Sequence, residues 1–273
     1  MTSSTAVRPA QRTPFARYRH SLWLLTKRDL SVRYTTNALG YVWSVLDPLL
    51  MSLIYFFVFV VVFHRGDKQG ENPYIVYLMT GLLAWTWFNG AITDATRVFS
   101  KEAKLVRSVK LPQSLWVARI VLSKGIEYVA SLAVLVIFAI LFPTPVHWTV
   151  LWFPVGLVLQ AILVYGLGLI VAPLTVFYKD LERAVRLILR VLFYASAVLY
   201  SPTQWPNDIR GFPVRPLLEL NPLTGIFGLY RSAFWPHEFN ALHVIVSAIG
   251  SLVILGIGTL VFRRSVPAVL KEM

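Results

Sequence analysis

The chain has 273 residues, of which 56% are hydrophobic and 14% charged, and it carries a formal net charge of +13. A soluble domain carries about 25% charged residues, so a soluble enzyme or a basic nucleic-acid binder fits this composition poorly. Cysteine is absent, which excludes disulfides and thiolate metal sites.

Residues 1–13 are polar, rich in Ser, Thr and Pro, and read as a cytoplasmic tail. No cleavable signal peptide is expected, because the first apolar run begins only near residue 39. Residues 14–37 form an amphipathic helix. Phe15, Tyr18, Leu22 and Leu25 share one face, and Arg17, Arg19, Lys27 and Arg28 surround it. Such a helix lies in the membrane interface with its cations toward anionic headgroups; the competing reading is a packing helix of a soluble core.

A transmembrane region follows over 38–265, because about 20 consecutive apolar residues cross a bilayer. The first span covers 40–63, and its Asp47-Pro48 pair suits a helix N-cap and first turn. The second span covers 74–92, and a basic amphipathic connector fills 94–114. The third, fourth and fifth spans cover 118–142, 150–176 and 185–201. A Pro-rich stretch occupies 202–236, the last span 241–262, and 266–273 is a second cytoplasmic tail.

Within the Pro-rich stretch, Asn221-Pro222 caps a helix expected to run to Trp235. At about 21 Å, that helix is too short for a hydrocarbon core of roughly 30 Å. It is largely apolar, and Phe227 and Tyr230 belong to it. A re-entrant helix or an outer gate built on Asn221, Pro222, Phe227 and Tyr230 fits better than an ordinary loop.

Charge sets the expected orientation. Of the 26 Lys and Arg residues, all but Arg65, Lys68, Arg210, Arg215 and Arg231 fall on the side of the two termini. Both ends are therefore expected in the cytoplasm. The same asymmetry accounts for the high pI without nucleic acid. The expected fold is all-α and polytopic, with about six transmembrane helices, an N-terminal interface helix and re-entrant or gate helices before the last span.

Few residues suit catalysis. The five histidines form no H-E-x-x-H motif, and no phosphate-binding loop is present. No metal site and no cofactor is expected in this chain. Asp47 and Glu127 are the acidic residues within spans, and Glu127 is spaced to pair with Lys124. Aromatic residues cluster in the first, second and fifth spans. Tyr55, Phe56, Phe57, Trp87, Phe193 and Tyr194 are candidates for a substrate channel, since rings present flat apolar faces to sugars. Ordinary belt or lipid-facing aromatics are the alternative.

Several segments carry a resemblance. RDLSVRYTTNALGYVWSVLDPLL at 28–50 is similar to the opening signature of ABC-type polysaccharide and polyol phosphate export permeases. VFYKDLERAV at 176–185 resembles the family's Phe-Arg-Asp-Leu segment, with Lys179 where Arg is usual. That exchange keeps the charge and loses the guanidinium fork. FYASAVLYSPTQWP at 193–206 and NPLTGIFGLYR at 221–231 match its Ser-Pro and Asn-Pro-Leu blocks. The resemblance runs from 14 to 265 and is nearest to exporters of actinobacterial cell-wall galactan.

The resemblance implies a bacterial plasma-membrane half-transporter. Two copies pair, and two copies of a separate ATPase dock beneath them, with ATP and Mg on that partner. The cargo is then a lipid-linked polysaccharide. Arg17, Arg19, Lys27, Arg28 and Arg33 are candidates to recruit a lipid pyrophosphate, since Arg and Lys are the common phosphate binders. Val98, Lys101, Lys104, Leu105 and Val106 of the connector are candidates for coupling to the ATPase, with the apolar members buried at the contact; attraction to anionic membrane lipid is the alternative. A drug exporter with the same architecture and a membrane-embedded enzyme acting on lipid-linked sugars are the other readings.

Overall fold

The computed structural model describes residues 13–35, 42–62, 73–109, 111–208, 211 and 214–272. Among these the chain is helical throughout, without strands. The helices are α1 (Pro14–Thr35), α2 (Val42–Phe56), α3 (Tyr74–Ala95), the short α4 (Val98–Lys101) and α5 (Ala103–Ser108), and α6 (Ser114–Leu141). They continue as α7 (Phe153–Phe177), α8 (Leu181–Ala195), α9 (Val214–Glu219), α10 (Pro222–Arg231) and α11 (Ala241–Glu272).

The six expected spans map onto α2, α3, α6, α7, α8 and α11. Among the described residues, four helices have the length and apolar composition to cross a membrane: α3, α6, α11, and α7 with the 3-10 turn Trp148–Trp152 that leads into it. The other two are shorter. α2 passes into a π-helical end at Phe57–Val62, and its apolar part covers Leu49–Phe59. α2 also begins by Val42, so Asp47 is not a cap; it lies inside the helix with its side chain exposed.

α8 has 15 residues, about 22 Å, and falls short of a bilayer core of about 30 Å. The expected fifth span therefore divides into a helix ending at Ala195 and a turn over 196–201. α10 likewise ends at Arg231, earlier than the expected Trp235.

α3 is the axis of the bundle. Every residue from Tyr74 to Trp85 is buried, and α2, α6, α7, α8 and α10 all pack on it. α7 and α11 run against each other closely. A Cβ on Gly166 would sit 2.7 Å from the Leu255 backbone nitrogen, and Gly258 approaches Gly166 in the same way. Small residues at a helix crossing let two backbones approach, which is how helices associate without a hydrophobic drive. α1 lies on α6. Tyr18, Leu22 and Leu25 of its expected apolar face turn toward the protein, while Phe15 is exposed.

Candidate functional site

The basic end of the bundle is built from α1, α4, α5, the start of α6, the start of α8 and the end of α11. Arg17, Arg19, Lys27 and Arg28 of α1 are exposed, as are Lys101, Lys104, Arg107, Lys179, Arg183, Arg263 and Arg264. The side chain of Arg33 lies outside the described residues. α1 is tied down by charge as well as packing. Ser123 Oγ donates to Asp29 Oδ2 at 3.0 Å, and Arg28 lies 3.9 Å from Glu102. Glu102 also accepts from the buried Arg119 of α6 at 3.2 Å. One carboxylate in the connector thus joins α1 to α6.

The connector does not present the apolar face expected of it. Val98 and Val106 are buried and Leu105 is half-buried against the chain's own core. Phe99 is buried beside Phe262 of α11, ring centres 6.2 Å apart. The reason is that the connector breaks at Glu102 into two short helices, and each turns its apolar side inward. Lys101 and Lys104 are left facing out, with Arg107 and Ser108. Nearby, Arg97 at the end of α3 donates to Glu182 of α8 at 2.8 Å, and Arg186 donates to the same carboxylate. The hydrogen bond from Arg97, reinforced by Arg186, holds the Glu182 carboxyl below the usual carboxylate range.

The six channel aromatics divide into two places. Tyr55, Phe193 and Tyr194 form one cluster: Phe193 lies 5.9 Å from Tyr55 and 5.1 Å from Tyr194, centre to centre. Phe193 is buried there, against Trp85. Phe56 is half-buried and Phe57 and Tyr194 are exposed. Trp87 points elsewhere, toward α6, where it stacks on Tyr128 at 5.3 Å and donates to the Val121 carbonyl at 3.2 Å. It lines a cleft of about 570 Å³ between α2, α3 and α6 with Trp43, Asp47, Lys124 and Glu127. The expected pair is formed in that cleft, Lys124 Nζ to Glu127 Oε2 at 2.9 Å.

The opposite end is closed by α10. Asn221 caps it as expected, its Oδ1 accepting from the Leu223 N–H at 3.0 Å. Its Nδ2 donates to Ser196 Oγ at 2.8 Å, which ties the cap to the 196–201 turn. Phe227 and Tyr230 are both fully buried in the core. The Tyr230 hydroxyl donates to Gln160 Oε1 at 2.9 Å, and Gln160 Nε2 donates to the Ala84 carbonyl at 2.8 Å.

Arg231, counted among the cations on the side away from the termini, is not a surface residue. It ends α10, fully buried, and its guanidinium stands 3.8 Å from the centre of the Tyr77 ring. Nη1 donates to the Ala197 carbonyl and Nη2 to the Val198 carbonyl, each at 2.6 Å. These carbonyls belong to the turn after α8, where helical hydrogen bonding has stopped. Arg231 supplies the donors that the turn lacks, as buried backbone at membrane depth requires. Gln160 and Glu102 were likewise not singled out by sequence, because their partners are distant in the chain and, for Gln160, include backbone.

The model of the family described as ABC-2 type transporter matches residues 20–235. The chain is 28% identical over 244 residues to the O-antigen export system permease protein RfbA of Klebsiella pneumoniae, covering 89% of this chain and 91% of the relative. It is 28% identical over 248 residues to the RfbA protein of Myxococcus xanthus, 90% and 92% of the two chains. It is 24% identical over 255 residues to the polysialic acid transport protein KpsM of Escherichia coli, 89% and 92% of the two chains.

Proposed function

The chain belongs to the ABC-2 type transporter family, and on that premise we propose that it is the membrane-embedded permease subunit of an ATP-driven polysaccharide exporter. The observation that carries this reading is the similarity to O-antigen and polysialic acid export proteins along about nine-tenths of the chain. The fold supports it with a helical bundle built on α3 that has four helices able to cross a membrane.

In this reading two copies pair in a bacterial inner membrane with the basic end and both termini in the cytoplasm. The positive-inside bias supports that orientation. The cargo is a lipid-linked polysaccharide, galactan being the finer assignment that the sequence resemblance suggests. The exposed cations of α1, Arg17, Arg19, Lys27 and Arg28, suit recruitment of its pyrophosphate at the membrane surface.

ATP and Mg belong to a separate ATPase that docks on the basic end. Because Val98 and Val106 are buried in the chain itself, the docking face is the polar side of the connector, Lys101, Lys104 and Arg107. A push there reaches the bundle through Phe99 on Phe262 and through Glu102 on Arg119.

The test is co-expression with the partner ATPase and reconstitution into proteoliposomes. Polysaccharide on the far face should be detected only with both subunits and ATP. Lys101→Glu with Lys104→Glu should reduce co-purification of the ATPase by about tenfold, mainly through slower association. Undiminished co-purification and transport in that double variant would remove the connector from the docking face. Absence of transport by the intact pair, with a defined lipid-linked polysaccharide, would remove the cargo assignment.

A further inference from the structure

α6 and α7 leave a groove of about 680 Å³ between them, with Leu255 of α11 at its side and Tyr18 and Leu22 of α1 across it. Leu122 and Val129 of α6 and Val158 and Ile162 of α7 form its walls. Polar atoms are scarce there, and the indole N–H of Trp87 is already given to the Val121 carbonyl. Leu122, Val129 and Val158 are exposed within the chain. At the basic end of the groove stands Tyr165, half-buried.

Tyr165 also lines a second pocket, of about 480 Å³, and here the chemistry changes. Gln113, Ser114, Thr259 and Arg263 contribute amide, hydroxyl and guanidinium groups. The Gln113 side-chain oxygen is enclosed and meets no hydrogen-bonding group. No carboxylate lines either pocket among the described residues. An apolar groove thus opens, through one tyrosine, onto a cationic and hydroxyl-rich pocket at the basic end.

We infer that this double pocket is a binding site for one anionic glycerophospholipid, with an acyl chain in the groove between α6 and α7 and its phosphate beside Arg263. The groove and pocket together run from Leu157 to Leu169 on α7, about 18 Å at about 1.5 Å per residue. That length takes the headgroup-proximal part of one fatty acyl chain with its glycerol and falls far short of a polyprenyl carrier. Arginine beside hydroxyl and amide donors matches the phosphate oxygens, and the apolar walls offer an acyl chain close packing. The lipid would sit beneath α1 and wedge it against α6, so it serves the protein as a structural part and not as cargo. The inference stands on these two pockets and not on the polysaccharide reading.

The experiment purifies the full chain in mild detergent from membranes containing phosphatidylglycerol and phosphatidylethanolamine, and counts retained lipids by native mass spectrometry. The intact protein should keep about one lipid per chain, enriched in phosphatidylglycerol. Val158→Trp fills the groove and should lower retention about tenfold by taking the space in which the acyl chain packs. Ile249→Trp, at an exposed position of α11 outside both pockets, controls for a bulky ring on the lipid-facing surface. Arg263→Gln should keep the lipid and lose the preference for the anionic headgroup. Equal retention in Val158→Trp and Ile249→Trp would overturn the proposal. So would unchanged headgroup preference in Arg263→Gln, a retained polyprenyl lipid, or a groove covered by a second copy of the chain, seen as loss of the dimer in Val158→Trp.

Discussion

α3 and α11 are both long enough to cross a bilayer, yet they relate to their surroundings in opposite ways. In the most apolar window of α3, 83% of the residues are buried inside the protein; in that of α11 the share is 17%. That window of α11 is nevertheless the more apolar of the two. In water the buried helix would carry the greater apolar share. Here lipid is the solvent for α11, so apolarity marks exposure, and the axial helix is free to carry Gly81, Thr80, Thr86 and Asn89. Packing, not transfer from water, holds α3.

The sharpest way to break this comparison is a pair of glycines. A Cβ on Gly81 of α3 would lie 2.6 Å from both Arg231 Nη2 and the Val198 carbonyl oxygen, whereas one on Gly256 of α11 meets nothing within 4 Å. Gly81→Leu should therefore cost about 3 kcal/mol or more by overpacking. Gly256→Leu should leave the thermal midpoint of the purified protein unchanged. Equal midpoints for the two variants would mean that α3 is not the tightly packed axis described above.

A smaller difference is expected from truncation. Leu83 of α3 is wholly buried, and Ile249 of α11 is 58% exposed. Leu83→Ala should lose about 2–5 kcal/mol, while Ile249→Ala exchanges lipid contacts for lipid contacts and should cost well under about 1 kcal/mol. Unfolding titrations in mixed micelles read both; a larger loss at Ile249 would reverse the roles of the two helices.

The smallest effect is at the basic end of α3. Glu182 has its carboxyl lowered by Arg97 and then Arg186, so the folded form favours the ionised state. Its contribution to docking α8 on α3 is present above the ordinary carboxylate range and is lost as pH falls through the lowered value. Because the group is partly exposed, the contribution is modest. A stability profile between about pH 3 and 6 should lose a small acidic step in Glu182→Gln. An identical profile would leave Arg97 and Arg186 without a role in that junction.

Long-range apolar runs were legible in the sequence: α3, α6, α7 and α11 lie where composition put them, and the Asn221-Pro222 cap is formed as its residue types dictate. Two elements were not. α8 carries enough apolar residues to look like a span, but its helix stops where the Asn221 amide meets Ser196 and the Arg231 guanidinium takes up the following carbonyls. Those partners lie 25 and 34 residues away, beyond any local pattern. The connector's apolar face was legible as a face, but not its direction. Periodicity identifies which residues share a side, and only tertiary packing decides that Val98 and Val106 turn inward. For the same reason the aromatic set read as one channel splits at Trp87, whose indole N–H is claimed by Val121 of α6.

The burial of Arg231 has a consequence for how the chain is held together. Its acceptors are the carbonyls of Ala197 and Val198, and its ring partner is Tyr77 of α3. A guanidinium placed in hydrocarbon without such partners costs at least about 2.5 kcal/mol. The docking of α10 therefore depends on α3 and on the turn after α8, which supply those partners. α11, which follows α10 in the chain, packs on it from the other side. One cation thus ties α10 to two segments far from it in the chain, and the end that α10 closes depends on all three.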